Sequence, residues 1–161
     1  YLYQGEELGL QEVAEIADDQ RQDPSFFRMR EKETGRDGCR VPMPWTRTGS
    51  SYGFGSGGAH LPQPLWFGHY SVEAQTGVEG STLELYRTAL GLRRGFTGNE
   101  QLDWFDSGRD DVLHFTRPGG LRVVSNFGTT PAPLPPGEVL LASGPLGDGE
   151  LPGETTVWLR G

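Results

Sequence analysis

The chain has 161 residues, of which 34% are hydrophobic, and its 14 basic and 22 acidic side chains leave a net charge of −8. This length fits one domain, or one small domain with an appendage. The acidic balance argues against nucleic acid and anionic membranes as partners, because both require clustered positive charge. No apolar run approaches the roughly 20 residues that span a bilayer. Cys39 is the only cysteine, which excludes an internal disulfide and predicts a reducing, cytoplasmic compartment.

The first part of the chain predicts short elements joined by long loops. Residues 1–4 have the pattern of the end of a strand, and residues 11–17 have helical propensity. Asp23-Pro24 gives a cap and first-turn signal for a short helix, and a second short helix is predicted over residues 71–75. Between these two helices lies a glycine-rich loop, residues 48–58, of a length that is usually functional or disordered.

The clearest helix begins near Ser81. Ser81 followed by Glu84 fits a capping box, and Leu83 and Leu90 continue the apolar positions at helical spacing. Gly95 stands where a glycine ends a helix. The pattern then changes to short β-rich segments separated by turn residues, which predicts a small antiparallel sheet or half-sandwich. The predicted strands cover residues 102–105, 112–117, 121–127, 139–142 and 155–159.

The predicted order is one strand, a long irregular excursion, one good helix and a run of strands. We place the domain boundary between residues 1–94 and residues 95–161. The first part has the pattern of a single βα unit with an enlarged loop, and such a unit cannot bury both faces of its strand. The chain is therefore predicted to be a fragment of a longer protein. Its unpaired strand is expected to recruit the missing part of the fold or a second copy of the chain.

Residues 35–45 are the most informative stretch. Arg36, Asp37, Arg40 and Trp45 lie here beside two prolines, which favour an extended, stiff loop. A stiff loop with guanidinium groups, a carboxylate and an indole suits a polar ligand that has one apolar face, such as a sugar. The alternative is a structural loop in which Arg36 pairs with Asp37 and Trp45 caps a core.

Several motifs of this sequence, taken in chain order, resemble the α-amylase family of glycoside hydrolases in its α-glucosidase subgroup. The resemblance covers about residues 1–94 and implies an α/β part joined to an all-β part. These are the last βα unit of a (β/α)8 barrel and a following antiparallel β-domain. The motifs that carry the resemblance are residues 3–9 (YQGEELG), 36–45 (RDGCRVPMPW), 61–64 (LPQP), 71–75 (SVEAQ), 81–83 (STL) and 86–87 (YR).

The resemblance implies the C-terminal part of a retaining α-glucosidase that acts on small α-glucosidic oligosaccharides. The family's catalytic carboxylates lie on earlier strands, and none of their motifs occurs in this sequence, so the chain is predicted to be inactive by itself. Glu6 and Glu7 are adjacent, and nothing brings them into the carboxylate pair, about 5–5.5 Å apart, that a retaining mechanism needs. The alternative function is a non-catalytic carbohydrate-binding or docking module.

The candidate substrate-binding residues are Arg40 and Glu6. The resemblance places Arg40 near the subsite for the leaving-group sugar, where its planar fork could donate to sugar hydroxyls or anchor a carboxylate. Glu6 is expected at the mouth of the barrel, ordering the loop or pairing with an arginine. Arg36, Asp37 and Trp45 are interpreted as loop-structuring, Asp37 through Arg36 or backbone amides and Trp45 by packing in a core, with stacking on a sugar as its alternative. No metal or cofactor is predicted.

Overall fold

The computed structural model describes residues 1–29, 32, 34–96 and 100–161. The chain forms two compact units, Tyr1–Glu84 and Leu85–Gly161, which we call unit 1 and unit 2. Among the described residues, unit 1 contains two buried hydrophobic clusters and unit 2 contains one. The division between the units falls near the start of the helix Thr82–Arg93. The domain boundary predicted from the sequence falls after residue 94, just beyond the end of the same helix, and it stays a prediction.

Unit 1 consists of short helices and turns. The two predicted short helices are confirmed, and each begins at a capping side chain. Asp23 accepts a hydrogen bond from the Ser25 amide at 2.8 Å, and Ser71 accepts one from the Ala74 amide at 3.1 Å. Among the described residues, the helical segments are α1 (Pro24–Arg28), α2 (Val72–Gln75), the first residues of α3 (Thr82–Arg93) and the 3₁₀ turns Glu6–Leu8, Asp18–Gln20, Asp37–Cys39, Ser50–Gly53 and Leu65–Tyr70.

Two predicted elements of unit 1 are wrong. Residues 1–4 form no strand, because a strand depends on a hydrogen-bonded neighbour and the described sheets lie entirely in unit 2. Residues 11–17 form neither a helix nor a strand. The Val13 amide donates to the Gly38 carbonyl at 3.1 Å, and Val13 and Ile16 are buried in a cluster with Phe67. Seven residues give too little helix to offset the cost of nucleation, so these tertiary contacts decide the conformation.

Helix α3 begins with the first half of its predicted capping box. Ser81 Oγ accepts a hydrogen bond from the Glu84 amide at 3.3 Å. Glu84 Oε1 in turn accepts one from the Gly77 amide at 2.8 Å, which ties the preceding turn to the start of the helix. At the other end, α3 passes directly into the 3₁₀ turn Arg94–Phe96. Gly95 lies inside that turn and does not end the helix, so this part of the prediction is wrong.

Unit 2 contains an antiparallel five-stranded sheet in the order β1-β2-β3-β7-β5. The predicted strands are confirmed. A separate two-stranded pair, β4 with β6, is absent from the sequence prediction because it consists of only two residues per strand in proline- and glycine-rich segments. The strands are β1 (Asp103–Trp104), β2 (Val112–Arg117), β3 (Leu121–Asn126), β4 (Ala132–Pro133), β5 (Glu138–Ala142), β6 (Glu150–Leu151) and β7 (Thr155–Arg160).

Side-chain alternation divides the large sheet into two faces. Val124, Val157 and Leu159 are buried with Leu151 of the small sheet, so this face and the β4–β6 pair enclose the core of unit 2 as a half-sandwich. A row of apolar residues crosses four strands on the opposite face. In this row Trp104 pairs with Phe115, Phe115 with Val123, and Val123 with Trp158. The two faces therefore carry different apolar surfaces.

Candidate functional site

Asp37 anchors the loop of residues 35–45. Its side chain lies in the 3₁₀ turn Asp37–Cys39 and is only 2% exposed. One carboxylate oxygen, Oδ2, accepts hydrogen bonds from the amides of Gln22 at 2.8 Å and Asp23 at 2.9 Å. These are backbone amides, one of the two kinds of partner that the sequence suggests for Asp37. The carboxylate thereby joins the loop to the segment that precedes α1.

Asp23 is a second buried carboxylate, and it is not among the site residues predicted from the sequence. Its Oδ1 caps α1, while Oδ2 accepts from the Arg36 amide at 2.7 Å and from Arg40 Nη1 at 3.3 Å. The amides of Ser25 and Arg36, and then the Arg40 charge, hold the pKa of Asp23 below the ordinary aspartate value. The Asp-Pro pair predicts the helix cap, but the sequence contains no signal for the hydrogen bonds that Asp23 accepts from Arg36 and Arg40.

The Arg40 guanidinium is bound by a carboxylate through one nitrogen, and much of the side chain is exposed. Its ion pair with Asp23 spans 3.3 Å, and the Arg40 side chain is 44% exposed while that of Asp23 is 6% exposed. A guanidinium has five N–H donors, so one contact with a carboxylate leaves donors available to a ligand. The exposed side borders an open cavity of about 670 Å³ lined also by Lys32, Thr34 and Arg36.

Two glycines of this region allow close backbone approach. A Cβ atom at Gly38 would lie 2.5 Å from the Val13 carbonyl oxygen, which is closer than side chains pack. Gly35 has a φ of 73°, in the left-handed region, and a Cβ there would come within 3.0 Å of Asp23. Gly35 therefore lets the loop lie directly against Asp23, and Gly38 lets it lie directly against the backbone of Val13.

Glu6 lies at a different place from Arg40. It is exposed in the 3₁₀ turn Glu6–Leu8, and it lines a smaller cavity of about 200 Å³ that also includes Gly38 and Cys39. Neither Arg40 nor Asp23 is among the described residues that line this smaller cavity. The structure therefore does not bring the two candidate substrate-binding residues into one cavity.

Trp45 lies at the end of the loop with its side chain 47% exposed. Its backbone connects two other segments of unit 1. The Trp45 amide donates to the Tyr52 carbonyl at 2.8 Å, and the Trp45 carbonyl accepts from the Glu73 amide at 3.0 Å. The indole therefore has a surface available for stacking, while the main chain of the same residue fixes the loop to α2.

The part of the chain that the structure describes has neither a metal-binding cluster nor a membrane-spanning helix. No cluster of three or more histidine, cysteine, aspartate or glutamate residues there could hold a metal ion. None of the described helices is long and apolar enough to cross a membrane.

The chain is similar in sequence and in fold to known enzymes. A probable alpha-glucosidase of Rhizobium meliloti (strain 1021) is 39% identical over 93 residues, which is 58% of this chain and 16% of the relative. The solved alpha-glucosyl transfer enzyme XgtA is 33% identical with a TM-score of 0.76, over 99% of this chain and 32% of that one. The isomaltulose synthase PalI from Klebsiella sp. LX3 shares the fold at 19% identity, with a TM-score of 0.77 over 99% of this chain and 34% of that one.

The chain thus spans about a third of the length of these solved structures and less of the curated relative. Its short helices and antiparallel sheet match the C-terminal portion of these enzymes, as the fold prediction expects. The resemblance in the sequence motifs is confirmed independently by a family model. The model of the alpha-amylase catalytic domain matches residues 1–98, more than half of the chain, and the chain belongs to the alpha-amylase family.

Proposed function

We propose that this chain is the C-terminal part of a retaining α-glucosidase that acts on small α-glucosidic oligosaccharides, and that residues 35–45 form one wall of its sugar site. The observation that carries the proposal is the Arg40 guanidinium, held by the buried Asp23 at 3.3 Å beside an open cavity. Membership of the family and the 39% identity to a probable alpha-glucosidase support the same class of activity.

In this function Arg40 binds substrate and Asp23 positions it. The carboxylate of Asp23 already accepts from two backbone amides, so its location is fixed before a ligand arrives. An arginine held along one edge loses less side-chain entropy when its remaining N–H groups donate to sugar hydroxyls. Asp37 belongs to the same support, because its bonds hold the segment that contains Asp23.

We further propose that the chain alone does not hydrolyse glycosides. A retaining mechanism needs a nucleophile and an acid about 5–5.5 Å apart. Asp23 is the one carboxylate among the described residues lining the Arg40 cavity, and it is committed to three hydrogen bonds. Glu6 lines the other cavity. Neither arrangement supports a catalytic pair.

The first test is an assay of the 161-residue chain with a chromogenic α-glucoside. We expect no turnover above the blank. Turnover that disappears in the Glu6→Gln variant would contradict the proposed role of the chain.

The second test uses the complete enzyme in which this segment occurs. Arg40→Ala should raise KM by about tenfold, the size of one lost charge-assisted hydrogen bond. Arg93→Ala, an exposed arginine at the end of α3, is the matched control and should leave KM unchanged. Equal KM values for all three proteins would remove Arg40 from the substrate site.

A non-catalytic carbohydrate-binding module is the second candidate, and one observation in unit 2 favours it. The Trp104 side chain is 61% exposed at the edge of the sheet, with its ring centroid 5.3 Å from that of Phe115. Exposed aromatic rings can stack on the apolar face of a sugar. Titration with maltose and isomaltose separates the candidates, because saturable binding that survives Arg40→Ala but is lost in Trp104→Ala would favour the module.

A further inference from the structure

Two Asp-Gly pairs occur in the sequence, Asp37-Gly38 in unit 1 and Asp148-Gly149 in unit 2. Such a pair can rearrange without an enzyme, because the glycine amide nitrogen can attack the side-chain carboxyl carbon of the aspartate. The glycine has no side chain that would hinder this approach. The reaction needs a carboxyl group that is free to turn toward the nitrogen and an amide that is not held elsewhere. The two pairs differ in these respects.

The Asp37-Gly38 pair is protected by its surroundings. The Asp37 side chain is buried, and its Oδ2 accepts hydrogen bonds from the amides of Gln22 at 2.8 Å and Asp23 at 2.9 Å. The backbone of the pair lies in a 3₁₀ turn, and the Gly38 carbonyl accepts from the Val13 amide at 3.1 Å. Turning the carboxyl group toward the Gly38 nitrogen would break the hydrogen bonds of a buried group, which is costly.

The Asp148-Gly149 pair has none of these restraints. Both residues are exposed, in the bend immediately before β6. Among the described residues, no group forms a hydrogen bond or an ion pair with the Asp148 carboxylate, and no carbonyl accepts a hydrogen bond from the Gly149 amide. A Cβ atom at Gly149 would meet no atom beyond its chain neighbours within 4 Å, so the space around the amide is open. The structure therefore leaves both reacting groups of this pair available.

We propose that Asp148 is a modification site, at which the folded chain converts spontaneously to isoaspartate. The Gly149 nitrogen bonds to Asp148 Cγ, and water leaves with the hydroxyl of the carboxyl group and the proton of the amide. The product is a cyclic succinimide, and water then adds to either carbonyl carbon of the ring. Cleavage of the bond between Cγ and nitrogen restores aspartate. Cleavage at the former main-chain carbonyl carbon leaves the chain linked through Cγ, with a free carboxylate on that carbon and with mass and charge unchanged.

The modification would alter the pairing of the small sheet. Isoaspartate adds one carbon to the main chain between Asp148 and Gly149, inside the bend that leads into β6. The Gly149 carbonyl accepts from the Leu134 amide at 3.0 Å, next to the paired residues of β4 and β6. Leu151 of β6 is buried in the core of unit 2. Because the added carbon displaces Gly149 relative to β4, we expect the Leu134 amide to lose protection from hydrogen exchange.

The test is prolonged incubation of the folded 161-residue chain at mildly acidic pH, followed by peptide mapping with electron-transfer fragmentation, which distinguishes isoaspartate from aspartate at equal mass. We expect isoaspartate to form at Asp148 at least about tenfold faster than at Asp37, because Asp37 must first lose its buried hydrogen bonds. In the chain unfolded by urea, the two pairs should react at similar rates. Equal rates in the folded chain, or no isoaspartate at Asp148 while the unfolded chain reacts, would overturn the proposal.

Two variants at this exposed position serve as controls. Asp148→Glu keeps the charge and should abolish the product there, because glutamate would have to close a larger ring that forms more slowly. Asp148→Asn forms the same succinimide with loss of ammonia, so it should react faster and with a change in mass. A folded Asp148→Asn chain that keeps its amide would contradict the proposal. Hydrogen exchange of the Leu134 amide should be faster in the converted chain but unchanged in Asp148→Glu after the same incubation, and equal rates in both would overturn the expected effect on the small sheet.

Discussion

At the scale of single residues, Asp37 makes the strongest prediction about stability. Asp37→Ala leaves the buried Asp23 amide and the partly buried Gln22 amide without their acceptor. Each buried unsatisfied group costs about 1–3 kcal/mol, so we expect unit 1 to lose about 2–4 kcal/mol. Hydrogen exchange of the Val13 amide, which donates to the neighbouring Gly38 carbonyl, measures this loss inside unit 1.

Two further variants serve as controls for the Asp37→Ala experiment. Asp37→Asn keeps an acceptor oxygen of the same shape and should cost less than alanine. Asp148→Ala removes an exposed aspartate of unit 2 and should leave the Val13 exchange rate unchanged. If Asp37→Ala exchanges like the unsubstituted chain, Asp37 does not hold the loop.

Asp23 predicts a pH dependence with a definite sign. The amides of Ser25 and Arg36, and then Arg40, lower the pKa of this carboxyl in the folded chain below its ordinary value of 3.8. A lowered carboxyl pKa stabilises the folded state fully above the ordinary value, and that contribution is lost as the pH falls through the lowered one. The Arg36 amide shift should therefore titrate with a midpoint below 3.8. Asp23→Asn should abolish this transition, and a midpoint at the ordinary value would contradict the hydrogen-bond assignment.

At the scale of elements, Gln75 joins the start of α3 to the rest of unit 1. Its Nε2 donates to the carbonyls of Leu8 at 2.8 Å and Tyr70 at 3.1 Å, and its Oε1 accepts from the Leu83 amide at 3.1 Å. Gln75→Glu replaces the donor with an oxygen that faces two carbonyl oxygens in a buried place. We expect a loss of about 2 kcal/mol or more, because a buried polar group without a partner is costly.

The control for Gln75→Glu is the same substitution, glutamine to glutamate, at an exposed position. Gln11→Glu introduces the same charge at an exposed position of unit 1 and should cost little. Urea unfolding followed by circular dichroism at 222 nm compares the two variants through the helical signal. Equal midpoints for Gln75→Glu and Gln11→Glu would show that the buried amide does not hold α3.

The elements differ in how far the sequence determines them. Helix α3 and the long strands are predictable because their caps, alternation and turn residues are local signals. The irregular path of the chain around Val13 is not predictable, since it depends on Gly38, which lies far along the chain. The same limit applies to the candidate site. The cap made by Asp23 is visible in the Asp-Pro pair, but its bond to Arg40 joins residues 17 positions apart.

At the scale of the whole molecule, opposing features govern association. The net charge of −8 keeps copies of the chain apart at low ionic strength. The first residues act in the other direction, because Leu2 is 55% exposed and Tyr3 is 50% exposed, and no described strand pairs with residues 1–4. Exposed apolar residues on unpaired extended backbone recruit a partner strand. We propose that this partner is the remainder of a barrel and that, in its absence, a second copy of the chain takes its place.

We therefore expect the chain alone to self-associate reversibly, so that the mass measured by light scattering rises with protein concentration. Salt should strengthen the association by screening the repulsion between the acidic chains. The double variant Leu2→Glu/Tyr3→Glu should weaken it, because the charges oppose burial of this segment. Leu65→Glu is the matched control, since it places the same charge on an exposed leucine that is not part of residues 1–4, and it should not matter. A monodisperse monomer at every concentration and salt level would contradict the pairing role of residues 1–4, because their apolar side chains would then need no partner.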